Sequence, residues 1–243
     1  MLIPLEPFVL LLSLVGAPQG ATAAAARVRA QRPEFTLVEN VGQLDPAVEF
    51  CALRGGARVA VDRSGFAVSA FHKKGGAGFV GQIDTVRFEV EGASPDAQYE
   101  HSNELRGREH TVRGPKPKTW VTEAAQFSQV VLQGVTPGVD VTFRDHGGRF
   151  EYDLLVTSPL ALQQCVVRCE GARSLRIDEE GSLRIETGSG EFCQALPVVW
   201  VSSGESGQVS VPCQFELLDG MRFRLVAPQW VSESPLWIDP GLV

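Results

Sequence analysis

From residue 45 onward apolar and polar residues alternate along the chain, the pattern of strands with one buried face and one open face. Val59-Ala-Val61 and Phe66-Ala-Val68 flank Asp62-Arg-Ser-Gly65, and Leu175-Arg-Ile177 and Leu183-Arg-Ile185 flank Asp178-Glu-Glu-Gly181-Ser182. Both read as hairpins in which Asp opens the turn and Gly supplies a positive φ. Val139, Val141 and Phe143 share one face, and after Gly147-Gly148 the residues Phe150, Tyr152, Leu154 and Val156 form a second apolar row. A two-residue turn at the glycines sets Phe143 opposite Tyr152, Val141 opposite Leu154 and Arg144 opposite Glu151. A turn shifted to His146-Gly147 would instead oppose Arg144 to Arg149 and Asp140 to Asp153, so the first register is expected.

Further strands are expected at 48–53, 127–132, 198–202, 209–218, 221–226 and 236–238, with Asp219-Gly220 joining two of them as a hairpin signal. Val86-Arg-Phe-Glu-Val-Glu-Gly-Ala93 is echoed by Val167-Arg-Cys-Glu-Gly-Ala172, which hints at two similar β layers. The polar, basic stretch from Arg106 to Lys118 reads as a long loop or a weak pair of edge strands. No helical period lasts beyond one or two turns. Without helices to cover it, a sheet must bury a face against another sheet. The expected fold is therefore all-β: an antiparallel, sandwich-like domain built from hairpins, as two packed layers or subdomains.

Composition agrees. The chain has 243 residues, 44% hydrophobic and 21% charged, with 25 Gly, 15 Pro and 2 Met, which suits a turn-rich β protein with a sizeable core. A net charge of −7 argues against nucleic acid as a partner. The first residues differ from the rest. Phe8 to Val15 is apolar but short of the roughly 20 residues of a membrane-spanning helix, and Ala21-Thr22-Ala23 offers a small-x-small cleavage site. The segment preceding the apolar run holds Glu6 and no Lys or Arg. The expected organisation is a signal peptide over 1–23, a linker over 24–34 and one all-β domain over 35–243. The mature chain is then secreted, periplasmic or at the cell surface, with no stable membrane insertion. Five cysteines in an exported chain permit up to two disulfides, with Cys193–Cys213 as the expected pair.

Candidate chemistry is sparse. Gly76-Ala-Gly78-Phe-Val-Gly81 matches a dinucleotide fingerprint, but the residues that follow read as a strand where that motif needs a helix N-terminus, so a hairpin loop is expected. The sequence has no nucleophile elbow, P-loop lysine, CxxC or H-E-x-x-H. Nothing singles out one of His72, His101, His110 and His146 as a general base, and no pair of acids stands out for glycoside hydrolysis. Arg106, Arg108, Arg113, Lys116 and Lys118, with Trp120 beyond them, form a basic stretch interleaved with Glu104 and Glu109, the composition of a solvated loop. Asp140 and Asp153 fall diagonally across the polar face of the hairpin, a spacing that could hold Ca²⁺ without requiring it. No cofactor is expected.

Glu39-Asn40-Val41-Gly42-Gln43, Trp120-Val-Thr122, Pro137-Gly138-Val139-Asp140, Glu151-Tyr152-Asp153, Glu170-Gly171-Ala172, Gly181-Ser182-Leu183, Pro197 and Ile238-Asp239-Pro240 occur in that order. Their series resembles a bacterial domain of unknown function that precedes SBBP (seven-bladed β-propeller) repeats in exported surface proteins. The resemblance implies an exported β module without established catalytic residues, and it would place propeller repeats after Pro240. Glu39, Asn40, Gln43, Asp140, Glu151 and Asp153 are the candidate polar cluster. The leading expectation is a non-enzymatic module whose partner is an envelope protein or a glycan. The rival is a secreted hydrolase or carbohydrate-active enzyme using carboxylates on a sheet face.

Overall fold

A computed structural model of the protein describes residues 35–54, 57–73, 81–111, 121–202, 207–231 and 234–241. The segments expected as signal peptide and linker, residues 76–80 of the glycine motif, the basic positions Arg113, Lys116 and Lys118, and Trp120 lie outside them. The strands are β1 Leu37–Glu39, β2 Phe50–Arg54, β3 Ala57–Asp62, β4 Gly65–Lys73, β5 Gly81–Val90, β6 Gln98–Thr111, β7 Val121–Thr136, β8 Val139–His146 and β9 Arg149–Val156. After a short helix, α1 (Pro159–Gln164), come β10 Val166–Glu170, β11 Ser174–Ile177, β12 Leu183–Glu186, β13 Glu191–Gln194, β14 Val198–Ser202, β15 Gln208–Ser210, β16 Gln214–Leu217, β17 Arg222–Val226 and β18 Leu236–Asp239. Among the described residues no helix is long and apolar enough to cross a membrane.

The fold is all-β, with one large antiparallel sheet and a small sheet of order β11-β12-β13. The large sheet branches at β7. Gln129 to Leu132 pair with β6 on one side and with β8 on the other. Phe127 pairs with Glu104 of β6 and with Leu37 of β1, so β8 and β1 share the same edge of β7. One limb continues from there through β8, β9, β18, β14 and β15, and the other through β1, β2, β3, β4, β5, β10, β17 and β16. The limbs pack face to face. Phe66 of β4 lies 5.8 Å from Phe143, 5.2 Å from Phe150 and 4.8 Å from Tyr152 by ring centroids. These rings, with Val141, Leu154, Phe88 and Phe223, form the sandwich core.

The hairpins follow their turn chemistry. The β8–β9 pair has Phe143 opposite Tyr152 and Arg144 opposite Glu151, with Gly147 and Gly148 at φ 59° and 85°. Val59 and Val61 face Val68 and Phe66, and Leu175 faces Ile185. Gly65 is required for a second reason: a Cβ there would lie 2.0 Å from the carbonyl oxygen of Phe88. Gly81 opens strand β5 opposite Lys73 of β4, so the end of the glycine motif enters a sheet and not a helix.

Three expectations are corrected. The echoed phrases do not form two layers; they are neighbouring antiparallel strands, with Arg87 opposite Glu170 and Arg168 opposite Glu89. An Arg-x-Glu phrase paired antiparallel with its own copy sets opposite charges across from each other twice, and Arg168 reaches Glu89 at 2.5 Å. The run 209–218 is two strands on the outer edges of opposite limbs, β15 beside β14 and β16 beside β17. Pro212, which has no N–H for a ladder, lies in the crossing between them. Of the two readings of the basic stretch, the edge strand holds for residues 106–111, which end β6, and its register with β7 shifts between Glu104 and Arg108. Finally, Cys193 and Cys213 are free thiols. Cys193 sits on β13 opposite Arg184 in the small sheet, whereas Cys213 immediately precedes β16 in the large one.

Asp84 of β5 clasps the small sheet to the large one. Its buried carboxylate accepts hydrogen bonds from the Ser189 hydroxyl at 2.5 Å, the Thr187 hydroxyl at 2.7 Å and the Ser189 N–H at 2.8 Å, all from the turn between β12 and β13. The Ser189 and Thr187 hydroxyls hold its pKa down at about 2, against an ordinary 3.8. A depressed carboxylate contributes stability above its unfolded pKa and loses it as pH falls through the folded value. Asp84→Ala should therefore speed amide exchange across β11–β13 at neutral pH, and the difference from wild type should vanish as pH approaches 2. Equal exchange in the two proteins at neutral pH would mean that apolar packing alone holds the small sheet.

Candidate functional site

The candidate polar residues fall into two regions, the loop after β1 and the outer face of β8 and β9. Asn40 follows β1, and its side chain is fully used: Nδ2 donates to the carbonyls of Asp45 (2.8 Å) and Val48 (2.7 Å), while Oδ1 accepts from the N–H groups of Gly42 (3.2 Å) and Leu44 (3.0 Å). Gln43 accepts from the Val41 N–H at 2.7 Å and donates to the Glu39 carbonyl at 2.5 Å. The Glu39–Gln43 phrase is thus a loop tied by two amides. With all of its hydrogen-bonding groups engaged, the Asn40 amide has nothing left to offer a ligand.

Asp140, Glu151 and Asp153 lie on the outer face of β8 and β9. Strand alternation sends Val141, Phe143, Tyr152 and Leu154 inward and leaves Thr142, Arg144, Glu151 and Asp153 on the other side. Asp140 and Asp153 are engaged by different partners. Asp140 Oδ1 accepts from the Gly134 N–H at 2.7 Å, capping the irregular end of β7, whereas Asp153 is gripped by Arg144 through Nε at 2.5 Å and Nη2 at 3.1 Å. The same guanidinium lies 3.2 Å from Glu151 and 3.5 Å from Asp239 of β18. Three carboxylates from two strands therefore surround one arginine. Asp153 is only 8% exposed, because β18 pairs along the other edge of β9 and closes that side. Burial pushes its pKa up and the Asp239 charge adds to this, while Arg144 pulls it down; the net direction is up. The hydrogen bond to Asp153 in turn raises the pKa of Arg144.

His146 Nδ1 contacts Glu151 Oε2 at 2.7 Å. Ligand atoms of His146, Glu151 and Asp239 all lie within 4.8 Å of one another, close enough to share a metal ion. Arg144 already touches both of those carboxylates, so the positive charge such an ion would supply is largely provided by the protein. Two further residues of this face were not marked by sequence patterning. Trp200 of β14 stands directly opposite Trp237 of β18, and Trp237 opposite Leu155 of β9. The indoles are 7° from parallel with centroids 6.5 Å apart, and both are part-exposed. Sequence reasoning placed each on its own strand, but only the pairing of β14 with β18 brings them together. Asp239 appeared in a family phrase without any link to Arg144, 95 positions away.

The family described as a domain of unknown function, DUF7948, matches residues 37–241. No curated protein and no solved structure matches the chain.

Proposed function

The chain belongs to the DUF7948 family, and from that premise we propose that it is an exported, non-catalytic β module mediating interaction or assembly at the cell envelope. The observation that carries this reading is the state of the carboxylates: Glu151, Asp153 and Asp239 all share Arg144 on a sheet face. A glycosidase holds its two carboxyl groups apart across the scissile bond, one protonated and one ionised. Acids tied to one guanidinium are poor candidates for either role. The signal-like start of the chain supports export, and the series of short family phrases supports a place beside β-propeller repeats in surface proteins.

The test pairs cell fractionation with activity assays. The processed protein, beginning near Ala24, is expected outside the cytoplasm, and the purified chain should not turn over chromogenic glycosides or esters above the blank. Intact Met1 on protein recovered outside the cytoplasm would remove the signal peptide from the reading. Turnover abolished by Asp239→Asn would replace the module with the hydrolase.

A further inference from the structure

We infer that the outer face carrying Trp200 and Trp237 binds carbohydrate, namely a sugar chain with free ammonium groups of the glucosamine type. This rests on the non-catalytic reading above and gives it a partner. The register places Ser210, Trp200, Trp237, Leu155 and Asp140 in one row across five strands, all on the face opposite the core. Asp239 and Asp153 follow in the next row, beside the indoles. Two near-parallel indoles at the surface offer apolar area in a fixed orientation at low entropic cost, which suits the C–H face of a pyranose ring.

Charge selects among sugars. On this face Asp140, Glu151, Asp153 and Asp239 outnumber Arg144 and, at the hairpin tip, Arg149. The surplus is negative, and in the row beside the indoles Asp239 and Asp153 share the single guanidinium of Arg144, which leaves one net negative charge there. An acidic glycan would be repelled. An ammonium is attracted both by the carboxylates and by the faces of the indole rings. Val198, 64% exposed and opposite Asp239, extends the apolar strip toward the start of β14. A glucosamine oligomer combines the two chemistries that this face presents, apolar ring faces and positive charge.

Calorimetric titration of the full chain with a glucosamine oligomer, its N-acetylated counterpart and a galacturonate oligomer tests the assignment. The glucosamine oligomer should bind at low salt, with affinity at least about tenfold above the N-acetylated form, an increment within reach of one cation–π contact plus neighbouring charge. Galacturonate should not bind. Trp237→Ala and, independently, Trp200→Ala should each weaken binding by about tenfold or more, as truncated aromatic anchors do. Asp239→Asn should reduce the preference for the free amine while leaving the sheet folded by circular dichroism. No binding of the glucosamine oligomer at millimolar concentration would overturn the proposal, as would equal affinity for the N-acetylated form or full binding in both Trp variants. Failure of sugar binding alongside specific capture of a purified envelope protein would sink the carbohydrate site and leave the module reading standing. Shortening of the oligomer by the wild-type chain would do the reverse.

Discussion

Truncating Phe143 to Ala should destabilise the fold by about 3–5 kcal/mol, the range for aromatic deletions in a packed core. Phe143 is fully buried and lies 5.8 Å from Phe66 and 6.0 Å from Phe150 by ring centroids. It therefore bridges the two limbs of the sandwich. It also borders an apolar cavity of about 30 Å³, shared with Phe88, Val141, Leu154 and Leu225. Removing the ring enlarges that cavity, and its surroundings belong to sheets that cannot easily collapse inward. Denaturant unfolding would check this through a lower midpoint at an unchanged slope. A loss below about 1 kcal/mol, the scale of an ordinary substitution, would mean that the limbs do not pack at this point.

Arg144→Ala should cost about 3 kcal/mol at neutral pH, the low end for removing one partner of a buried ion pair. The low end applies because the arginine side chain keeps 23% of its exposure. The variant leaves Glu151, Asp153 and Asp239 crowded without their cation. Its pH dependence separates this cause from lost packing. Burial and the Asp239 charge already raise the pKa of Asp153 with Arg144 present, and without it the rise must be larger. A carboxyl whose folded pKa lies above its unfolded value binds protons more tightly when folded, so its penalty is absent at low pH and grows as pH rises through the folded pKa. The deficit of Arg144→Ala should therefore shrink as pH falls from neutral toward the ordinary carboxylate value of 3.8. A deficit independent of pH would assign it to the lost aliphatic stem of the side chain instead.

Turn chemistry made the hairpins legible, because it is local. Asp62 with Gly65, Asp178 with Gly181 and the Gly147-Gly148 pair each declare a reversal within a few residues, and the apolar alternation on either side fixes the register. The β6 strand was only half legible, as an edge strand or a loop. Residues 103, 104 and 106–110 are all exposed, so this edge strand carries no apolar period to read. The two-sided role of β7 was hidden as well, since its apolar positions look alike whether one or three strands lie alongside. At the charged face, sequence gave the Arg144–Glu151 pair through the hairpin register but not Asp239 or the tryptophans, which arrive through β18 and β14. The expected Cys193–Cys213 bridge failed for a related reason: nearness in sequence said nothing about two separate sheets.

The shared edge of β7 also bears on the order in which the chain is able to fold. Strands β1 to β5 leave the ribosome first, yet their limb cannot be closed from either side at that stage. β1 waits for Phe127, and the free edge of β5 waits for Val167 to Glu170. Until then Val59, Val61, Phe66, Val68 and Phe88 form an apolar sheet face with nothing over it, flanked by an unpaired edge. That intermediate is open to edge-to-edge association with a second nascent chain. Arg87 and Glu89 on β5 place charges along that edge while it waits for its partner, and the same two residues later meet the complementary Glu170 and Arg168.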